Sequence, residues 1–149
     1  MLGIGLGGFV DGIVFHQLLQ MHSMLSARLP KDTLANLQIN MFWDGMFHAF
    51  TWLMTAIGLA LLWRAVNNAD IRLSGKVMLG ALFLGWGLFN FVEGLIDHHL
   101  LELHHVVEAR GASVFDGLFL LSGVVMSVGG FLAIRSGRRE EGEVLPVTT

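Results

Sequence analysis

Apolar residues along the chain gather into four long blocks, and the polar residues that interrupt them recur at related places. A membrane-spanning helix needs about 20 mainly apolar residues. Four windows meet that length, at residues 2–25, 39–63, 77–107 and 114–134, and the third is long enough to project beyond a bilayer. Turn signals separate them: Pro30-Lys31-Asp32, then Asn67-Asn68-Ala69-Asp70, then Gly111. The pattern predicts an all-α integral membrane four-helix bundle over residues 1–136 and a flexible charged tail over 137–149. The first window does not read as a signal peptide. It lacks a basic start, and Asp11, His16 and His22 interrupt its apolar run. The chain begins almost inside this helix, so a few further N-terminal residues are expected.

The polar interruptions follow a repeat. The fourteen residues from Phe9 to His22 align without gaps on Phe91 to His104, 82 positions later, with seven identities that include both His. A shorter match pairs Trp43-Asp44-Gly45-Met46-Phe47 with Phe115-Asp116-Gly117-Leu118-Phe119. The chain therefore reads as two tandem helical hairpins, about 1–66 and 75–136, related by a pseudo-twofold axis along the membrane normal. Chance similarity between apolar helices explains shared Leu and Val. It explains poorly a shared skeleton of acid, Gly, three residues, His, five residues, His.

Composition narrows the class. Apolar residues make up 54% and charged residues 14%, which excludes a disordered chain and argues against a soluble domain. Nine Lys and Arg against twelve Asp and Glu leave no basic surface for nucleic acid. The absence of Cys removes thiolate ligands, disulfides and Cys nucleophiles. Six basic residues (Arg64, Arg72, Lys76, Arg135, Arg138 and Arg139) fall on the side shared by both termini, and three (Arg28, Lys31 and Arg110) on the other. Positive-inside bias then predicts a bacterial inner-membrane protein with both termini cytoplasmic. The expected partners are the bilayer and either a second copy or a larger membrane complex.

The seven His carry the candidate chemistry. At 1.5 Å per residue, His16, His48 and His98 fall at one level, about 13 Å below the outer helix ends. His22, Asp44, His104 and Asp116 form a shallower layer. Asp11 and Glu93, equivalent in the repeat, lie deeper. On an ideal α-helix Asp11 and His16 are about 140° apart, so sharing one ion requires the helix to bend, as at Gly12. Intramembrane ionisable groups cost about 2.5–3.5 kcal/mol each and must pair, bind an ion or line water.

Four readings follow. Imidazole with carboxylate suits a mono- or dinuclear transition-metal centre of copper, iron or zinc, for redox chemistry or metal handling, including a metal-dependent membrane oxidoreductase. Its expected ligands are His16, His48, His98, Asp44, Asp116, His22 and His104. Asp11, Glu93, Asp97, Glu102 and His105 would orient them or relay protons. Met21, Met24, Met41 and Met46 near the same mouth favour copper slightly, although gap-filling explains them better. Haem b between His16 and His98 is an alternative, with Gly12 and Gly94 allowing close approach. Proton or ion translocation through Asp11 and Glu93 is another. The bland reading is cross-helix hydrogen bonding in a Gly-rich bundle.

The strings Gly8–Gln20, Asp44-Gly45-Met46-Phe47-His48, Glu93–Leu101 and His104-His105-Val106 resemble a bacterial family of predicted four-span membrane proteins of unknown function. The resemblance covers nearly the whole chain except the tail. It implies four spans and no established activity. Members often show a His pair where this chain has His22-Ser23, so position 23 departs from that pattern here.

Overall fold

The computed structural model describes residues 1–67 and 74–144, with side chains given as far as residue 140. Four α-helices dominate: α1 (Leu2–Val10), α2 (Leu34–Val66), α3 (Gly75–Glu93) and α4 (Val114–Val144). Two π-helical segments extend α1 and α3, over Asp11–Leu18 and Gly94–Leu100. Side-chain caps start the later helices. Thr33 Oγ1 accepts from Asn36 N at 3.2 Å, Ser74 Oγ from Val77 N at 3.4 Å, and Asp116 Oδ2 from Ser113 N at 2.8 Å. Leu34–Val66, Gly75–Leu100 and Val114–Glu140 are long and apolar enough to cross a membrane, whereas Leu2–Leu18 is shorter.

The helices lie in the order α2, α1, α3, α4, and among the described residues the α2 backbone stays apart from α3 and α4, with Phe47 reaching Phe89 of α3 at a ring-centroid distance of 5.9 Å. The four helices thus form a row with α1 and α3 at its centre. Glycine explains the order. Gly5 and Gly8 of α1 lie against Thr55 and Thr51 of α2, while Gly3 and Gly7 lie against Leu82, Gly85 and Trp86 of α3. Gly87, Gly123 and Gly130 bring α3 and α4 into backbone contact.

Burial is inverted relative to a soluble protein. Phe89 and Val106 are the only buried hydrophobic side chains among the described residues, whereas Asp11, His16, His22, Asp44, Glu93 and His98 are among the buried polar ones. Phe42, Trp52, Leu59 and Trp63 of α2, and Leu118, Val125 and Phe131 of α4, are exposed. Such an outer surface fits lipid, not water.

Three boundaries differ from expectation. The first and third helical runs end at Leu18 and Leu100, not at residues 25 and 107. Gln20 and Glu102 turn the chain back with φ of 50° and 46°, and the segments that follow fold over the helix ends. The two loops are tied together by Ala27 N donating to Leu103 O at 3.0 Å and Glu108 N donating to Met21 O at 3.1 Å. At the other end α4 continues as helix through Val144, past the boundary expected at 136. Arg and Glu favour helix there, and the next Pro is Pro146. Asn68, Ala69, Asp70, Arg72 and residues 145–149 lie outside the described residues.

Candidate metal centre

The π-helical segments put acid and His on one face. Leu19 N donates to Val14 O at 2.8 Å and Leu101 N to Ile96 O at 2.7 Å, bonds that span five residues. Winding at that pitch aligns residues five apart, which an α-helix separates. Asp11 Oδ2 consequently lies 3.1 Å from His16 Nε2, and Glu93 Oε1 lies 3.0 Å from His98 Nε2. A wider turn follows in both segments, from Met21 N to Phe15 O at 2.9 Å and from Leu103 N to Asp97 O at 2.8 Å. It delivers His22 and His104 back over the same acids.

Each of the four imidazoles has its Nδ1 turned to an acceptor. His16 Nδ1 donates to Asp44 Oδ1 at 2.9 Å, His22 Nδ1 to Val106 O at 3.0 Å and His104 Nδ1 to Met24 O at 3.2 Å. His98 Nδ1 lies 3.4 Å from Asp116 Oδ1. Donation from Nδ1 leaves a lone pair on Nε2 of a neutral ring. The Nε2 atoms of His16, His22 and His98 are buried without a hydrogen-bond partner. His104 Nε2 faces Glu93 Oε1 at 2.9 Å, an approach of two electron-rich atoms that needs a proton or a cation between them. The rings form one cluster. His22 and His104 stack with centroids 4.7 Å apart, His16 lies 4.4 Å from His22, and His98 lies 4.7 Å from His104.

Two sets of ligand atoms converge within 4.8 Å: one from His16, His22 and His104, the other from Glu93, His98 and His104. These groups could hold a metal ion. Asp11, Asp44, Glu93 and Asp116 are all buried, and among the described residues no Lys or Arg lies within ion-pair distance of them. The loops seal the outer side, with His22 and His104 at 1% and 0% exposure. Burial pushes the His22 imidazole down to about 2, helped by neighbouring His104 and His16, so it is neutral across the ordinary pH range.

Residues 1–137 match the family described as "Predicted membrane protein (DUF2243)". The chain belongs to this family. No curated protein and no solved structure matches the chain. The family's description carries a membrane location and no activity, so the chemistry rests on the residues of this member.

The structure rearranges the expected layers. His22 and His104, expected near the surface, are at the heart of the cluster. Asp11 and Glu93 lie on the Nε2 side of the rings, and Asp44 and Asp116 on the Nδ1 side. His48 is not in the converging sets. Its Nδ1 bonds Asp44 O of its own helix at 2.7 Å, and its ring packs on Gly12. The counterpart pair Phe119 and Leu120 packs on Gly94 in the same way. His105 Nδ1 lies 3.6 Å from Asp116 Oδ1, beside the cluster. Asp97 is half-buried, and Glu102 is exposed, 4.0 Å from Arg28. Met41 and Met46 are exposed on α2. The acceptors Val106 O and Met24 O are backbone atoms with no side-chain signature. They are, however, 82 residues apart, as the repeat requires.

Proposed function

We propose that this protein is an integral membrane metalloprotein with a dinuclear His/carboxylate centre built by two tandem repeats. His16, His22 and His104 supply one ligand set, with Asp11 3.1 Å from His16 Nε2, and Glu93, His98 and His104 the other. The observation that carries the reading is the shared orientation of four buried imidazoles, each with Nδ1 toward an acceptor and Nε2 toward Asp11 or Glu93. That is how second-layer acceptors fix metal-binding His. Charge supports two ions: four buried carboxylates balance two divalent cations when the His are neutral. Two His with one carboxylate suits non-haem iron best, with zinc or copper as alternatives. Exposed Met41 and Met46 remove much of the case for copper. Redox chemistry or metal handling is the corresponding activity.

The repeat reading draws support from the paired hydrogen bonds, and the membrane reading from the apolar exterior. Arg64, Lys76, Arg135, Arg138 and Arg139 near the shared helix ends favour cytoplasmic termini in a bacterial inner membrane. A second copy or a larger complex against the outer faces of α2 and α4 belongs to the same proposal.

Elemental analysis of detergent-purified protein tests the centre. Two equivalents of one transition metal are expected, falling below 0.2 equivalents in His16→Ala/His98→Ala. Metal that stays substoichiometric after reconstitution refutes it. A Soret band would favour haem instead, although the His22 and His104 rings fill the space between His16 and His98. Metal-free protein that carries protons in proteoliposomes, and stops in Asp11→Asn/Glu93→Gln, would favour translocation.

A further inference from the structure

Each central acid lines a cavity as well as the His cluster, and the two cavities differ. Glu93 lines a cavity of about 520 Å³ among α1, α2 and α3, walled by Ile4, Phe47, Phe50 and Phe89, and Asp97 lines it too. Asp11 lines a cavity of about 210 Å³ on the other side, with Trp86, Asn90, Phe119 and Ser122. Trp86 stands 82 residues after Ile4, and Phe119 and Ser122 stand 72 after Phe47 and Phe50, so the cavities are counterparts. In the smaller one Trp86 replaces Ile4, and Asn90 Nδ2 bonds Ser122 Oγ at 3.2 Å across it. Phe15 stands there in place of Asp97. One repeat has plugged its cavity, and the other has kept it open and added an acid.

We infer that the larger cavity is a binding site for a bilayer-dissolved aromatic alcohol of the phenol or quinol class, its hydroxyl donated to Glu93 or Asp97. The volume falls in the range of small-molecule sites. Phe50, Val92 and Ile96 belong at once to its wall and to the exposed apolar surface, so access is lateral, from lipid. Three Phe suit an aromatic ring. The lining holds two carboxyl groups and no Lys or Arg, which selects a head group that donates hydrogen bonds and rejects a fatty acid or phospholipid phosphate. Glu93 Oε2 is buried without a hydrogen-bond partner, and the residue is 7% exposed. This inference goes beyond the metal reading, because binding needs the cavity and its acids and not the ion.

The test uses the full chain in phosphatidylcholine nanodiscs and a 4-alkylphenol with a diazirine in its alkyl chain. Labelling mapped by mass spectrometry should saturate, concentrate on Phe47, Phe50 and Phe89, and be competed by 4-heptylphenol at least tenfold better than by its methyl ether. Ile4→Trp, which copies the plug of the other repeat, should reduce labelling at least tenfold with metal content unchanged. Asp97→Leu, which keeps the volume, should bring phenol and ether to within about twofold of each other. Equal competition by the ether in the wild type overturns the inference, as does labelling spread over the outer faces of α2 and α4. So does an unchanged Ile4→Trp. A wild-type dimer that Ile4→Trp converts to monomer also overturns it, in favour of a second copy as occupant. Wild-type protein that labels as expected yet stays substoichiometric in metal after reconstitution would instead strike the metal reading alone.

Discussion

Asp44→Asn isolates the Nδ1 partner of His16, a ligand of the proposed centre. Asp44 Oδ1 accepts from His16 Nδ1 at 2.9 Å and from Met24 N at 2.8 Å. The amide oxygen of Asn can accept from the same donors, so the fold and the loop should survive. What is lost is the charge. A hydrogen bond to a charged group contributes about 1.5–3 kcal/mol and a neutral one about 1 kcal/mol. The difference, about 1–2 kcal/mol, converts to roughly five- to thirtyfold in affinity, within the tenfold to hundredfold band for orienting partners of metal-bound His. Asp116 is the control. It lies 3.4 Å from His98 Nδ1, and that nitrogen has no hydrogen bond, so Asp116→Asn should cost less than about threefold beyond the charge effect common to both. Competition for Zn(II) against a chromophoric chelator, in detergent, reads both variants. Equal losses at the two positions refute the reasoning, as does unchanged affinity in Asp44→Asn.

His48→Ala should retain at least 90% of the wild-type metal, since His48 Nδ1 bonds its own helix; loss of one equivalent by elemental analysis would return His48 to the ligand set. Neutral, buried His22 adds a pH dependence. The unfolded chain takes up a proton below about 6.5 while the folded ring does not until about 2, so its contribution is complete above 6.5 and is lost progressively toward 2. The melting-temperature gap between metal-free wild type and His22→Gln should therefore shrink from pH 7.5 to 5, by the equivalent of about 2 kcal/mol, and a constant gap counts against burial of a neutral ring. Gly123→Ala should destabilise by about 1–3 kcal/mol, because its Cβ would sit 2.6 Å from Phe91 N, whereas Gly129→Ala meets nothing within 4 Å and should be neutral or stabilising. Equal melting shifts for the two would contradict the α3–α4 packing.

Helices, loops and the polar skeleton were legible in the sequence because membrane spans declare themselves by length and the acid-Gly-His pattern occurs twice. The convergence was only half legible. Ideal α-helical geometry sets Asp11 and His16 on different faces, and the bend expected at Gly12 is instead a π-helical segment, whose wider winding has no residue-level signature. Depth counted along straight helices also failed. It grouped His48 with His16 and His98, whereas chain reversals at Gln20 and Glu102 bring in His22 and His104.

The cluster also explains why the helices form a row. A closed four-helix bundle surrounds a centre with side chains from all four helices. Here α1 and α3 with their π-helical extensions provide Asp11, His16, Glu93 and His98, and the reversed loops provide His22 and His104. The outer helices α2 and α4 contribute one carboxylate each to the cluster: Asp44, which accepts from His16 and from the Met24 backbone, and Asp116, which accepts from the Val106 backbone and lies 3.4 Å from His98 Nδ1. Four intramembrane carboxylates would cost on the order of 10 kcal/mol if left uncompensated, comparable to the whole stability of an ordinary domain. A centre of that cost, held by loops that seal it, ties folding to whatever neutralises the charge. Metal loading and loop closure should therefore be one event, with the metal-free protein losing protection first in residues 19–33 and 101–113.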